Sequence, residues 1–380
     1  MVENGIVTYD PLYPHAWYQH MQRTAPVFYN QQHRSWHVFR YRDVQRILLD
    51  PTSFSSRIDI GRGMEKSLVF IDPPRHRSLR NLITQRFTPR TVAQLEPRIT
   101  AIVHELLDEV TAQGKMDVVD DLAHPLPTIV IAELLGISAE DRTQFRVWSD
   151  AVLEQSISPE QSEQLGREMG GYFLREIEQR RRNPGNDLIS ELLAANIDGE
   201  RLSQEDILSF CILLLVAGNE TTTTLLGNAM VCFDEFPEAM QAVQADLSLL
   251  PDAIEEVLRY RSPINSVARI ATCDISIGDQ EIKAGSFVNV SPPAANCDET
   301  EFPNALQFDI KRSPNRHLGF GYGIHFCIGA PLARLEAKIA LTAMFERLSD
   351  IQRMRDIPLE PIVGSGTFGI KHFPITFKAQ

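Results

Sequence analysis

Among its 380 residues the chain has only five cysteines, and none of them forms a C-x-x-C pair. Cys211, Cys232, Cys273, Cys297 and Cys327 are odd in number and widely spaced. This argues against a disulfide framework and for a reducing, cytoplasmic home. Long apolar runs are missing too: the stretch 211–217 falls far short of the ~20 residues a membrane span needs. The first ten residues carry no basic region and no apolar run, so neither a signal peptide nor a membrane anchor is expected. Positive charge is scarce. Lys and Arg number 37 against 50 Asp and Glu, a net charge of −13, so nucleic acid is not an expected partner. No G-x-G-x-x-G occurs, which removes the dinucleotide-binding fingerprint. What remains is 43% hydrophobic and 23% charged, enough for one large domain or two ordinary ones with a real core.

The most informative stretch is Phe320-Gly-Tyr-Gly-Ile-His-Phe-Cys-Ile-Gly329. Gly321, Gly323 and Gly329 remove side chains where a flat ligand could approach the backbone. A helical pattern follows at once, with Pro331 in its first turn. A sulfur just before a helix start feels the positive end of the dipole and free N–H groups, which favour the thiolate. Cys327 therefore reads as an ionised, metal-binding sulfur. The competing reading is a glycine-rich loop around a buried free cysteine.

Three further stretches carry chemistry. Between Arg75 and Arg90 there are five arginines and no acid, a local inversion in an acidic chain. His76 and Arg80 share one face of the helix expected over 75–87. Such a helix is a solvated basic surface, a docking patch, or a neutraliser of a buried anion. The second stretch is a helix expected over 203–235, with Ser203 and Asp206 as a capping box. Its apolar turns break at Ala217-Gly-Asn-Glu-Thr-Thr-Thr-Thr224. A carboxylate among apolar turns is costly unless paired or used. Small residues here let something press against the helix, and Glu220 beside Thr221 would make a proton relay. A packing notch with a satisfied glutamate is the alternative. The third stretch is Glu256 and Arg259, one turn apart, a pair worth a few tenths of a kcal/mol by itself. Between 266 and 290 apolar and polar residues alternate as strands do, and Arg269 stands in the first of them. His76, Arg80, Arg269 and His325 are about the number of donors that two buried carboxylates would need.

The cysteine stretch resembles the haem-binding loop of the cytochrome P450 family, F-G-x-G-x-H-x-C-x-G. The other stretches follow in the family's order and spacing, over about residues 11–380. The resemblance implies a mainly α fold with small β-sheets: a triangular α-rich prism with its long central helix at 203–235 and its haem loop before a helix at 328–348. It implies a single haem domain over 1–380 with no fused reductase, acting as a monomer. Cys327 would ligate the iron of haem b. His76, Arg80, Arg269 and His325 would hold the propionates, with Phe320, Gly329 and Gly218 against the cofactor. Ala217 and Gly218 would leave room for O2, and Glu220 and Thr221 would deliver protons. Glu256 and Arg259 would form a structural triad with Arg312.

Leu214, Ala217, Val267 and Phe368 would line the substrate pocket, with Trp148, Val152 and Leu153 in reach and the loop 51–74 lying over it. Arg75, Arg77 and Arg86 would face an acidic carrier, a ferredoxin or flavodoxin served by a NAD(P)H reductase. Cys297 stands where the family usually has an arginine, a small structural variation. The activity implied is monooxygenation of a hydrophobic small molecule: a fatty acid, terpenoid, steroid or macrolide precursor. Two alternatives are a peroxide-using haem-thiolate enzyme, disfavoured by the intact Glu220 and Thr221, and a non-catalytic haem-thiolate ligand sensor.

Overall fold

Ser203 starts the element on which the rest is built. Its hydroxyl accepts from the Asp206 N–H at 3.1 Å, and the Asp206 carboxylate accepts from the Ser203 N–H at 3.1 Å. Two otherwise unpaired donors are thus satisfied reciprocally. The central helix then runs unbroken from Gln204 to Glu235, 32 residues, and stops where Pro237 follows. Its threonines do not break it. The hydroxyls of Thr221 and Thr223 bond back to the carbonyls of Ala217 and Asn219 at 2.8 and 3.1 Å. Most of its side chains are buried. By length and composition this helix could cross a membrane, but its apolar surface is spent on the protein's own interior.

The structure is a computed structural model that describes residues 2–3, 6–58, 66–141, 143–145, 147–148, 158–197, 200–363 and 366–380. Around the central helix pack Pro125–Leu134, Pro159–Arg182 and Ala330–Arg347, and Glu96–Thr111 packs on the last of these. Their apolar faces form one large core. A second core lies under a five-stranded sheet in the order Val27–Asn30, Ser35–Val38, Phe287–Val290, Val267–Ala271, Phe54–Ser55. Only the pairing of Ser35–Val38 with Phe287–Val290 is parallel, with Ser35 opposite Phe287. A smaller sheet joins Leu348–Arg353 to Pro374–Ala379 and that strand to Lys115–Asp117.

The mainly α fold with small sheets is as the sequence leads one to expect. The boundaries shift where local signals compete. After the basic helix the chain forms two helices where prolines punctuate it: Pro89–Ala93, capped by Thr88, and Glu96–Thr111, which takes Pro97 in its first turn. The basic helix spans Arg75–Thr84 and the post-cysteine helix Ala330–Arg347. Ile60 of the 51–74 loop, and Val152 and Leu153, lie outside the described residues. Trp148 is buried in the helical core beside Tyr172.

Candidate active site

The cysteine loop is shaped by two glycines with left-handed backbone, Gly321 at φ +73° and Gly323 at φ +71°. A Cβ at Gly323 would stand 2.6 Å from the Leu48 carbonyl oxygen, so the loop is pressed against the helix Tyr41–Leu49. The Cys327 N–H bonds the Phe320 carbonyl at 2.8 Å, closing the loop on itself. Phe320 is covered on one face by the Arg334 guanidinium, 4.5 Å from the ring centroid. Arg334 is in turn held by Glu255 at 2.6 and 2.8 Å. Burial pushes the Glu255 carboxyl up, but hydrogen bonds from Arg334 and His317 outweigh it and bring it down to about 2. Neither Arg334 nor Glu255 was legible as part of the site, because a charged pair on two helices has no local signature.

The thiol departs from the sequence expectation. In the protein alone burial raises the Cys327 pKa, although the N–H groups of Gly329 and Ala330 and the charge of Arg80 act the other way. The helix-start argument named the right opposing forces and left out desolvation, which is the largest. A metal bound at the sulfur would reverse the balance, since a coordinating thiol is deprotonated outright.

Beside the loop the structure gathers the four predicted donors. The rings of His76 and His325 lie 4.3 Å apart, and His325 Nε2 shares a hydrogen bond with the Ser56 hydroxyl at 2.9 Å. Arg80 donates to the Phe326 carbonyl, and Arg269, only 5% exposed, to the Ala268 carbonyl at 2.8 Å. Burial, then the charges of Arg269, His76 and Arg80, lower His325 to about 3. Burial, then Arg80, lowers His76 to about 4. Even Arg269 is drawn down to about 10 by burial. Four donors thus resist one another's charge in a desolvated place. The nearby carboxylate, Asp72, already accepts from the Ser55 hydroxyl and the Ser56 N–H. His76 Nε2 is buried with no hydrogen-bond partner. An anion is what this set lacks, and a flat dianion whose iron takes a thiolate ligand fits it.

On the central helix Ala217 is the single exposed position between Asp206 and Glu235, and Val216, Gly218, Glu220 and Thr221 around it are half-buried. An accessible patch on an otherwise enclosed helix is where a bound molecule would touch it. Gly218 has a packing reason of its own. A Cβ there would lie 3.0 Å from Ile131 Cδ1, so the glycine lets the helix Pro125–Leu134 pack close. Thr221 is held by the Ala217 carbonyl, and Glu220 Oε1 accepts from the Thr367 hydroxyl at 2.8 Å. Leu214 packs in the helical core and Val267 is half-buried. Phe368 is not at a pocket rim. It is 2% exposed, with the Arg261 guanidinium 4.6 Å from its ring centroid, because the chain turns its ring inward onto that buried cation.

Glu256 and Arg259 are fully buried and doubly bonded at 2.7 and 2.8 Å, and Arg312 reaches Glu256 at 3.2 Å. The proposed docking arginines, Arg75, Arg77 and Arg86, are all exposed, but Arg75 is bound to Asp206 at 2.6 Å and Arg86 to Glu191. Two of the three therefore already serve the protein's own acids, which leaves them a weaker claim on a carrier. Cys297 sits in a small apolar cluster with Tyr18, Phe39 and Ala294, where burial pushes its thiol to about 12.

The family model described as Cytochrome P450 matches residues 13–363. The chain is 41% identical over 382 residues to cytochrome P450 109 of Bacillus spizizenii, across 97% of this chain and 93% of that one. It is 40% identical over 384 residues to the cyclomarin C epoxidase CymV of Salinispora arenicola, across 96% of each. Among solved structures, CYP109E1 from Bacillus megaterium in complex with testosterone superposes with a TM-score of 0.90 at 40% identity, over 96% of this chain and 98% of that one.

Proposed function

The chain belongs to the cytochrome P450 family of monooxygenases, and on that footing we propose that it hydroxylates a hydrophobic small molecule with electrons from a separate carrier. The observation that carries this is the buried donor cluster with its unpartnered His76 Nε2, set beside the cysteine loop. Cys327 would hold the iron of haem b, which when bound by a thiolate would supply the chemistry that favours O–O cleavage. His76, Arg80, Arg269 and His325 would take its two propionates and relieve their mutual repulsion. Phe320 and Gly329 would leave it a flat bed. Ala217 would meet a ligand on the other side of the site.

Thr221 and Glu220 would supply protons at the hydroxyl and the carboxylate, the acid replenishing the alcohol. The remaining side chains orient and exclude water. The single haem domain would work in the cytoplasm with a ferredoxin or flavodoxin and its NAD(P)H reductase. Arg77 is the exposed arginine best placed to meet that carrier's acids. The testosterone complex supports a bulky, largely apolar substrate of the steroid kind.

Cys327→Ser tests the ligand assignment. The reduced, carbon monoxide-treated variant is expected to lose the thiolate-type Soret band, and a band unchanged from the parent would refute it. Thr221→Ala is expected to keep substrate-induced spin shifts while product formed per NAD(P)H falls by roughly tenfold or more. Unchanged coupling would mean that protons arrive elsewhere.

A further inference from the structure

We infer that Thr367 is a positioning residue for proton delivery, holding the Glu220 carboxylate at one place on the central helix; this rests on the proposed role of Glu220. Thr367 Oγ1 donates to Glu220 Oε1 at 2.8 Å, and Thr367 is 1% exposed. Its segment is fixed independently of that bond. The Thr367 carbonyl accepts from Asn265 Nδ2 at 2.5 Å, and Thr367 forms a β-bridge with Ile264. The Phe368 N–H bonds the Pro263 carbonyl at 2.7 Å, while the Phe368 carbonyl accepts from Asn228 Nδ2 at 2.7 Å. At Gly369 a Cβ would stand 2.6 Å from Thr224 Cγ2, so the backbone there lies directly on the helix.

Glu220, Thr224 and Asn228 are four apart and share one helix face. The segment 367–369 runs along that face and touches it at each turn. Its hydroxyl is therefore a stationary donor, and the flexible glutamate is the part it immobilises. An acid held at one place delivers its proton along one path, and small misplacements of such groups are expensive.

The test uses the haem-loaded protein with a surrogate ferredoxin and reductase, and the variants Thr367→Val, Thr367→Ser and Glu220→Ala. Three quantities are read: product per NAD(P)H, the substrate Kd, and amide hydrogen exchange over 366–369. Thr367→Val is expected to lower coupling by roughly 3- to 10-fold while the substrate Kd stays as in the parent, and Thr367→Ser to restore coupling. Exchange over 366–369 is expected to stay as in the parent in both Thr367→Val and Glu220→Ala, since the segment's other bonds hold it. Parental coupling in Thr367→Val while Glu220→Ala is uncoupled would overturn the inference. So would equal impairment of the Val and Ser variants, or exchange over 366–369 that quickens in Thr367→Val, which would make the lost coupling a loosening of the segment. Parental coupling in Glu220→Ala would instead overturn the role of Glu220 from which the inference starts.

Discussion

Glu256 shows how a buried charge becomes tolerable. Its two oxygens accept from Arg259 twice, from Arg312, from Asn315 Nδ2 at 3.1 Å and from the Asp309 N–H at 2.9 Å. Arg259 spends its other hydrogens on the carbonyls of Asn296, Ala305 and Gln307. Removing the carboxylate would strand a fully buried guanidinium, so Glu256→Ala is expected to cost about 3–5 kcal/mol. Urea unfolding checks this, and a loss below about 1 kcal/mol would show that the pair is screened. The spacing of Glu256 and Arg259 was legible in the sequence, and with the family pattern so was Arg312. Asn315 and the Asp309 N–H were not, since nothing local marks an acceptor's fourth and fifth hydrogen bonds. The Cys327 thiol teaches the same lesson in reverse. Its neighbours could be read from the chain, but its burial depends on what folds over it.

Elements were read best where the backbone punctuates them. Ser203 with Asp206 marked the start of the central helix to within a residue, and the glycine pattern marked the cysteine loop. Gly323 matters for two reasons, a left-handed φ and a carbonyl in the way. Gly323→Ala is therefore expected to cost about 2 kcal/mol or more, and to lower haem content as well as the melting temperature. Gly285 is a fair control, because its φ is +80° yet nothing lies within 4 Å of an added Cβ. Alanine there should lower the melting temperature alone. What the pattern could not give was the contact of Thr367 with Glu220. The two are 147 residues apart, and only the path of the chain between them brings them together. Phe368 was misplaced for the same cause: an aromatic near a pocket and one under a buried arginine look alike in sequence.

At the scale of the whole molecule, acid should loosen the fold through a histidine far from the chemistry. His15 is buried, stacked on Tyr260 at 4.3 Å, and donates from Nε2 to the Tyr260 carbonyl at 2.9 Å. Burial lowers it to about 4. Unfolded, it would titrate near its ordinary 6.5, so the unfolded chain binds the extra proton between these values. The neutral ring's contribution is complete above pH 6.5 and is lost as pH falls toward 4, by about 3 kcal/mol in all. His15→Gln should flatten that part of the stability–pH curve, measured by urea melts at several pH values. An unaltered slope would assign the acid sensitivity elsewhere. The order in which the molecule can be assembled follows from its smaller sheet. Lys115–Asp117 finds its partner only in Pro374–Ala379, and Glu220 finds Thr367 almost as late. At about 5–20 residues per second a ribosome leaves that strand edge open for on the order of ten seconds or longer. A nascent chain halted before those residues would have its central helix with one face still uncovered where 367–369 will lie, and it is in that interval that a chaperone has most to protect.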